Sequence, residues 1–162
     1  MPVKIHSDSG SVTLQAEDVS GNSTATLVNV PAKIGHAEIC IACSDETTAL
    51  SGLDTKATFL IPRAMTLVEV KASLTAHTSG DVTVDVNYHA TDPSSAATIF
   101  SGSGSQPTIT GSNLFDSSGT GSVFSGSSST YSLAEDGFVT IDLDAAGTGA
   151  KGLKVWLLGY WS

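Results

Sequence analysis

The sequence predicts an all-β protein, an antiparallel sandwich or barrel, on three observations. Almost every periodic stretch has period two and is built from Val, Ile, Thr, Leu and Phe, the residues that fit a pleated, half-buried surface. No window of a dozen residues sustains apolar positions at i, i+3, i+4 and i+7, so no long helix is expected. Turn residues punctuate the periodic stretches at short intervals, the pattern of many short strands.

Residues 1–35 read as an N-terminal arm or hairpin. The first ten have little to bury, and "SVTLQ" (11–15) and "STATLVNV" (23–30) are β-type runs about a polar "AEDVSGN" turn. Two strands alone are marginal in water, so the arm must lean on something else. Its apolar residues Val12, Leu14 and Leu27 are candidate partner contacts.

Residues 36–162 carry the sandwich, with strands expected near 37–43, 56–61 and 97–100. The clearest pair is "TLVEVKASLTA" and "DVTVDVNYHA" around "HTSG", expected as an antiparallel hairpin. In it Val68, Val70, Ala72 and Leu74 share one buried face, and Val82, Val84, Val86 and Tyr88 the other. In "GFVTIDLDA" Val139, Ile141 and Leu143 point inward, while Thr140, Asp142 and Asp144 face solvent. Between Ser101 and Thr130, 11 of 30 residues are Ser and 6 are Gly; so polar a stretch reads as a long surface loop held by Leu114, Phe115, Val123 and Phe124, either a mobile insertion or a contact loop.

The last strand, "LKVWLLGYWS", is apolar on both parities, and such a strand is buried twice. Leu153, Val155 and Leu157 are assigned to the subunit's own core. Trp156, Leu158 and Tyr160 are assigned to the margin of the second sheet or to a neighbouring subunit, because a patch that large is seldom left wet.

Composition narrows the chemistry. With 16 acidic and 7 basic side chains the net charge is −9, and Arg63 is the only arginine, which argues against nucleic acid or an anionic membrane as a partner. No signal peptide and no apolar run of membrane-spanning length is apparent, so synthesis in a cytoplasm is expected. Cys40 and Cys43 stand three apart in a strand, hence on opposite faces, and are expected as buried reduced thiols. With His36 they bring only three of about four zinc ligands.

His6, His36, His77 and His89 show no metalloprotease spacing, and there is no nucleophile elbow or phosphate-binding loop. The pairs Glu135/Asp136 and Asp142/Asp144 could hold calcium, but read first as turn and solvent-face residues. Tyr88, Trp156, Tyr160 and Trp161 could stack a sugar, though terminal aromatics at strand spacing read first as core or interface. No cofactor, metal or catalytic residue is assigned.

The succession "KATFLIPRAMTLVEVKASLTAHTSGDVTVDVNYHA", "ATIF", a Gly/Ser-rich stretch and "EDGFVTIDLDAAGTGAKGLKVWLLGYW" resembles a module of tailed-bacteriophage virion proteins. That module has a "TFxxP" strand, an "xLxxVxAxL" strand, a "TxG" turn, a "VDVN" strand and a closing "VTIDLDxxGTGAxGLKVxLxG". The match runs over most of positions 10–161 and is most specific in "GTGAKGL", where glycines can take conformations other residues resist. The resemblance implies a non-enzymatic sandwich of jelly-roll type in a virus particle. The expected role is a capsid decoration (cement) protein, a small oligomer and by family habit a trimer, bound to the major capsid protein or other virion proteins. The alternative is a tail-fibre or receptor-binding component contacting host glycans. A glycan hydrolase is the weakest reading, since nothing singles out two poised carboxylates.

Overall fold

Alternating β-branched and polar residues become paired extended backbone in both parts of the chain. The computed structural model describes residues 6–8, 11–15, 24–27, 35–116 and 124–162, which fall in two units, Met1–Ile34 and Gly35–Ser162. In the first unit β1 (His6–Asp8), β2 (Ser11–Gln15) and β3 (Thr24–Leu27) form an antiparallel sheet in that order. Val12 is in register with Leu27 and Leu14 with Ala25; the side chains of this unit lie outside what is described.

The second unit contains β4 (His36–Ala42), β5 (Thr55–Leu60), β6 (Met65–Ser73), β7 (Ser79–His89), β8 (Ala97–Thr98), β9 (Thr108–Thr110), β10 (Tyr131–Leu133), β11 (Phe138–Thr148) and β12 (Lys154–Trp161). One sheet runs β10-β6-β12-β4 and the other β5-β11-β7-β8, with β9 also on β7. All pairings are antiparallel, and the two sheets pack face to face as an all-β sandwich. Several pairs are nested: β4 with β12, β5 with β11, β6 with β10, and β7 with β8 and β9.

The core lies between the sheets. Val70, Ala72, Leu74, Val82, Val84, Val86, Val139, Ile141 and Leu143 are buried there as the alternation predicts, and so are Leu153, Val155 and Leu157. An aromatic group closes one end: Phe124 stacks on Phe100 at 6.0 Å between ring centroids and lies 6.1 Å from Tyr131, which meets Tyr88 edge-on at 6.0 Å.

Four expectations are corrected. First, β6 and β7 are not a hairpin; they belong to opposite sheets. The connection between them crosses the sandwich beside the crossing from β11 to β12, and the two satisfy each other's backbone. Thr75 N–H donates to Lys151 O, Lys151 N–H to Ala76 O and Thr78 N–H to Thr148 O, each at 2.9 Å. Here "GTGAKG" earns its glycines: Gly147 has φ +61°, and a Cβ on it would sit 2.7 Å from His77 Nε2 and 2.9 Å from Val82 Cγ2.

Second, Val68 is only half-buried. Leu158 is in register with Glu69 and Gly159 with Leu67, so Val68 is the extra residue of a β-bulge. Burial switches parity across it, from Met65 and Leu67 to Val70 and Ala72. Gly159 is what lets the strands close there, because a Cβ on it would collide with the Thr66 carbonyl oxygen.

Third, the Ser/Gly-rich stretch contributes regular structure and core. Strand β9 puts Ile109 into the core, and Phe124 is fully buried, whereas Leu114 and Phe115 are 43% and 64% exposed. Val123 lies outside the described residues. Fourth, Asp142 is not simply solvated: it is half-buried and accepts a hydrogen bond from Asn87 Nδ2 at 2.8 Å. Its neighbours Asn87 and Thr140 are themselves buried.

Candidate functional site

The outer surface of the sheet β10-β6-β12-β4 is built around β12, an interior strand whose even-numbered residues point away from the core. Trp156, Leu158 and Tyr160 stand there in a row, each half-buried. On the β4 side their register partners are Cys40, Glu38 and His36. On the β6 side they are Lys71, Glu69 and Thr66. Leu153, Val155 and Leu157, assigned from the sequence to the core, are fully buried, while the row lies half-buried on the outer face.

A groove of about 460 Å³ crosses this surface, lined by Glu38, Lys71, Ser73, Phe115, Asp116, Trp156 and Leu158, with Ala72 at its floor. Phe115 arrives from the Ser/Gly-rich stretch, which pairs with the end of β6: Leu74 N–H donates to Leu114 O at 2.8 Å and Asp116 N–H to Ala72 O at 3.0 Å. Reading Phe115 as a packing anchor missed this role; its place beside β6 depends on a pairing between segments some forty residues apart that periodicity cannot reveal. The charged rim is loosely tied. Lys71 Nζ lies 3.4 Å from Glu69 Oε1, and His36 Nε2 3.4 Å from Glu38 Oε2, on exposed or half-exposed side chains.

The four aromatics considered for sugar stacking do not come together. Only Trp156 and Tyr160 share this surface; Tyr88 and Trp161 pack against the core. The two cysteines do face opposite ways, but Cys40 is exposed rather than buried. Burial, and secondarily the neighbouring Cys40, pushes the Cys43 thiol up to about 12.

The other sheet presents carboxylates. Asp85 accepts from the Thr98 hydroxyl at 2.6 Å and Asp144 from Gln106 Nε2 at 2.9 Å. Desolvation raises the Asp85 carboxyl above its ordinary range, against the lowering effect of the Thr98 and Gln106 hydrogen bonds. Glu135 and Asp136 lie in the turn before β11, where Asp136 N–H donates to Ile61 O at 2.9 Å. Among the described residues no group of three or more His, Cys, Asp or Glu side chains is arranged to hold a metal ion. His77 Nδ1 lies 3.0 Å from Asn113 O while its Nε2 is buried without a hydrogen-bond partner, and His89 Nδ1 accepts the backbone N–H groups of Thr91 and Asp92. The side chains of His6, Val12, Leu14 and Leu27 lie outside the described residues.

Fold and surface together define an antiparallel β-sandwich protein with an aromatic and aliphatic row on the outside of one sheet. Comparison with protein-family models, with curated proteins and with solved structures finds no match.

Proposed function

We propose that this chain is a non-enzymatic structural protein of a tailed-bacteriophage virion, a capsid decoration (cement) protein that binds the outside of the shell as a small oligomer and stabilises it. The observation that carries the reading is the row Trp156, Leu158 and Tyr160 on the outward face of an interior strand. Large apolar side chains placed there do nothing for the core; they suit contact with another protein, where aromatic anchors dominate the energetics. The nested pairing of β4 with β12, β5 with β11, β6 with β10 and β7 with β8 supports the jelly-roll form of the sandwich, the fold that the resemblance to virion modules implies. The N-terminal β unit suits a second contact, through Val12, Leu14 and Leu27, with a neighbouring subunit, the major capsid protein or another virion protein.

The test is occupancy and attachment. Quantitative mass spectrometry of purified particles is expected to find hundreds of copies per particle, and the chain lacking residues 2–30 is expected to stay soluble but no longer bind the shell. About a dozen copies per particle, or undiminished binding by the truncated chain, overturns the decoration reading.

The groove favours a second reading, a tail-fibre or receptor-binding role. Trp156 and Phe115 put aromatic surface in its lining, suited to the C–H face of a sugar, and Glu38, Lys71 and Asp116 bring polar groups suited to the sugar's hydroxyls. Binding of host surface glycan that is lost in Trp156→Ala and Phe115→Ala, together with low copy number, would select it.

A further inference from the structure

Among the described residues, the longest edge strand of the sandwich is β4. Among those residues it pairs with β12 alone, over seven consecutive register pairs without a shift, and so forms one edge of its sheet. The opposite edge strand, β10, has only three residues; in the other sheet β8 has two, and β5, with six, pairs with β11 through a register shift. Hydrogen bonds just beyond the ends of β4 settle which of its backbone groups are free. Cys43 N–H donates to Leu153 O at 2.8 Å, and Trp161 N–H donates to Gly35 O at 2.9 Å. Backbone groups alternate in direction along a strand, so the odd-numbered residues face β12. His36, Glu38, Cys40 and Ala42 therefore turn both N–H and C=O to the open side.

Proteins usually blunt such an edge with charged side chains, proline, a bulge or a short strand; of these β4 has only the single carboxylate of Glu38. Its core-side residues Ile39 and Ile41 are only half-buried, as is Phe59 of β5, an edge strand of the other sheet. Apolar surface thus lies directly beneath the unpaired backbone.

We propose that β4 is a self-association seam, pairing antiparallel with β4 of a second copy of this chain about a two-fold axis at Ile39. It rests on the reading above that the chain works as a small oligomer. The strand is complementary to itself in this one register. All seven residues pair, the hydrogen-bonded positions are His36 with Ala42 and Glu38 with Cys40, and Ile39 meets Ile39 over the core edge. An axis at Glu38 would set the two Glu38 residues directly opposite, with Cα atoms about 5.5 Å apart, an unfavourable like-charge pair. An axis at Cys40 would leave His36 and Ala37 unpaired. The seam joins two sandwiches through one continuous sheet and closes in pairs, giving a dimer or an even-numbered oligomer.

Sedimentation equilibrium of the full chain tests it with Glu38→Pro. Proline there removes only an outward N–H, a position where edge strands tolerate it, so thermal unfolding is expected to be nearly unchanged. The self-dissociation constant is expected to rise by roughly a hundredfold or more, the scale of several lost interchain hydrogen bonds. Mild oxidation gives the register: Glu38→Cys is expected to form a covalent dimer through Cys40 of the other copy, while the unmodified chain stays non-covalent. A monomer at all concentrations, a strict trimer, an oligomer indifferent to Glu38→Pro but dissolved by Trp156→Ala, or a Cys40–Cys40 dimer of the unmodified chain overturns the seam. Shell binding by a monomer would overturn the seam while leaving the decoration reading in place.

Discussion

Replacing Phe124 by alanine tests whether the Ser/Gly-rich stretch is part of the folded unit. Phe124 is completely buried and touches two other rings, stacked on Phe100 at 6.0 Å and tilted against Tyr131 at 6.1 Å. Truncating a core phenylalanine costs about 3–5 kcal/mol through lost transfer energy and the cavity left behind. The rings around the site are held by backbone pairing of Phe124 with Phe100 and Ser128, so little collapse is available and the upper part of that range is expected. With a urea m-value of about 2 kcal/mol per molar for a unit of this size, the midpoint falls by roughly 2–2.5 M. Both tryptophans, Trp156 and Trp161, lie in β12, so their fluorescence follows the sandwich unit specifically. Phe115→Ala is the control: its side chain is 64% exposed, and a shift within about 0.5 kcal/mol is expected. A Phe124→Ala loss below about 1 kcal/mol, or equal losses for the two variants, would refute the reasoning that this stretch anchors the core.

Gly159→Ala should cost about 1–3 kcal/mol or more by thermal unfolding, because the added methyl runs into backbone at the β6 bulge rather than into a movable side chain. A raised folded-state pKa means that the native Asp85 holds its proton more tightly than the unfolded chain does; its contribution favours folding at acidic pH and fades as pH rises through the folded value. Asp85→Asn is therefore expected to gain more melting temperature than the unmodified protein between pH 4 and pH 7, and an unchanged difference contradicts the assignment. Cys40 is exposed while Cys43 is buried with its thiol held far from ionisation. A thiol reagent at pH 8 should label one cysteine in the native protein and two after denaturation, by mass spectrometry, with Cys40→Ser abolishing the native signal.

Period-two alternation was enough to recover the longer strands and about half of the core, though not the three-residue strands β1, β9 and β10, because a side chain's face along an extended strand depends on local parity alone. Val82, Val84 and Val86, or Val139, Ile141 and Leu143, needed no knowledge of their neighbours. The doubly apolar end of the chain was likewise legible: Val155 and Leu157 go inward, Trp156 and Leu158 outward. Alternation fails where parity is reset from a distance. The bulge at Val68 exists because β12 brings Gly159 against Leu67, and nothing within β6 announces it. The same limit explains the mistaken hairpin, since an alternating strand looks alike whether its successor pairs beside it or crosses to the opposite sheet. The crossing is stabilised by 148–151, some seventy residues away. By itself, then, the sequence determined the β class, the face of most strand residues and the two-sided character of β12, all consequences of local geometry. Tertiary structure alone decided which strands pair, that Phe124 is core while Phe115 shares a groove with Trp156, and that β4 is an edge strand among the described residues, because each depends on segments distant in sequence meeting in space.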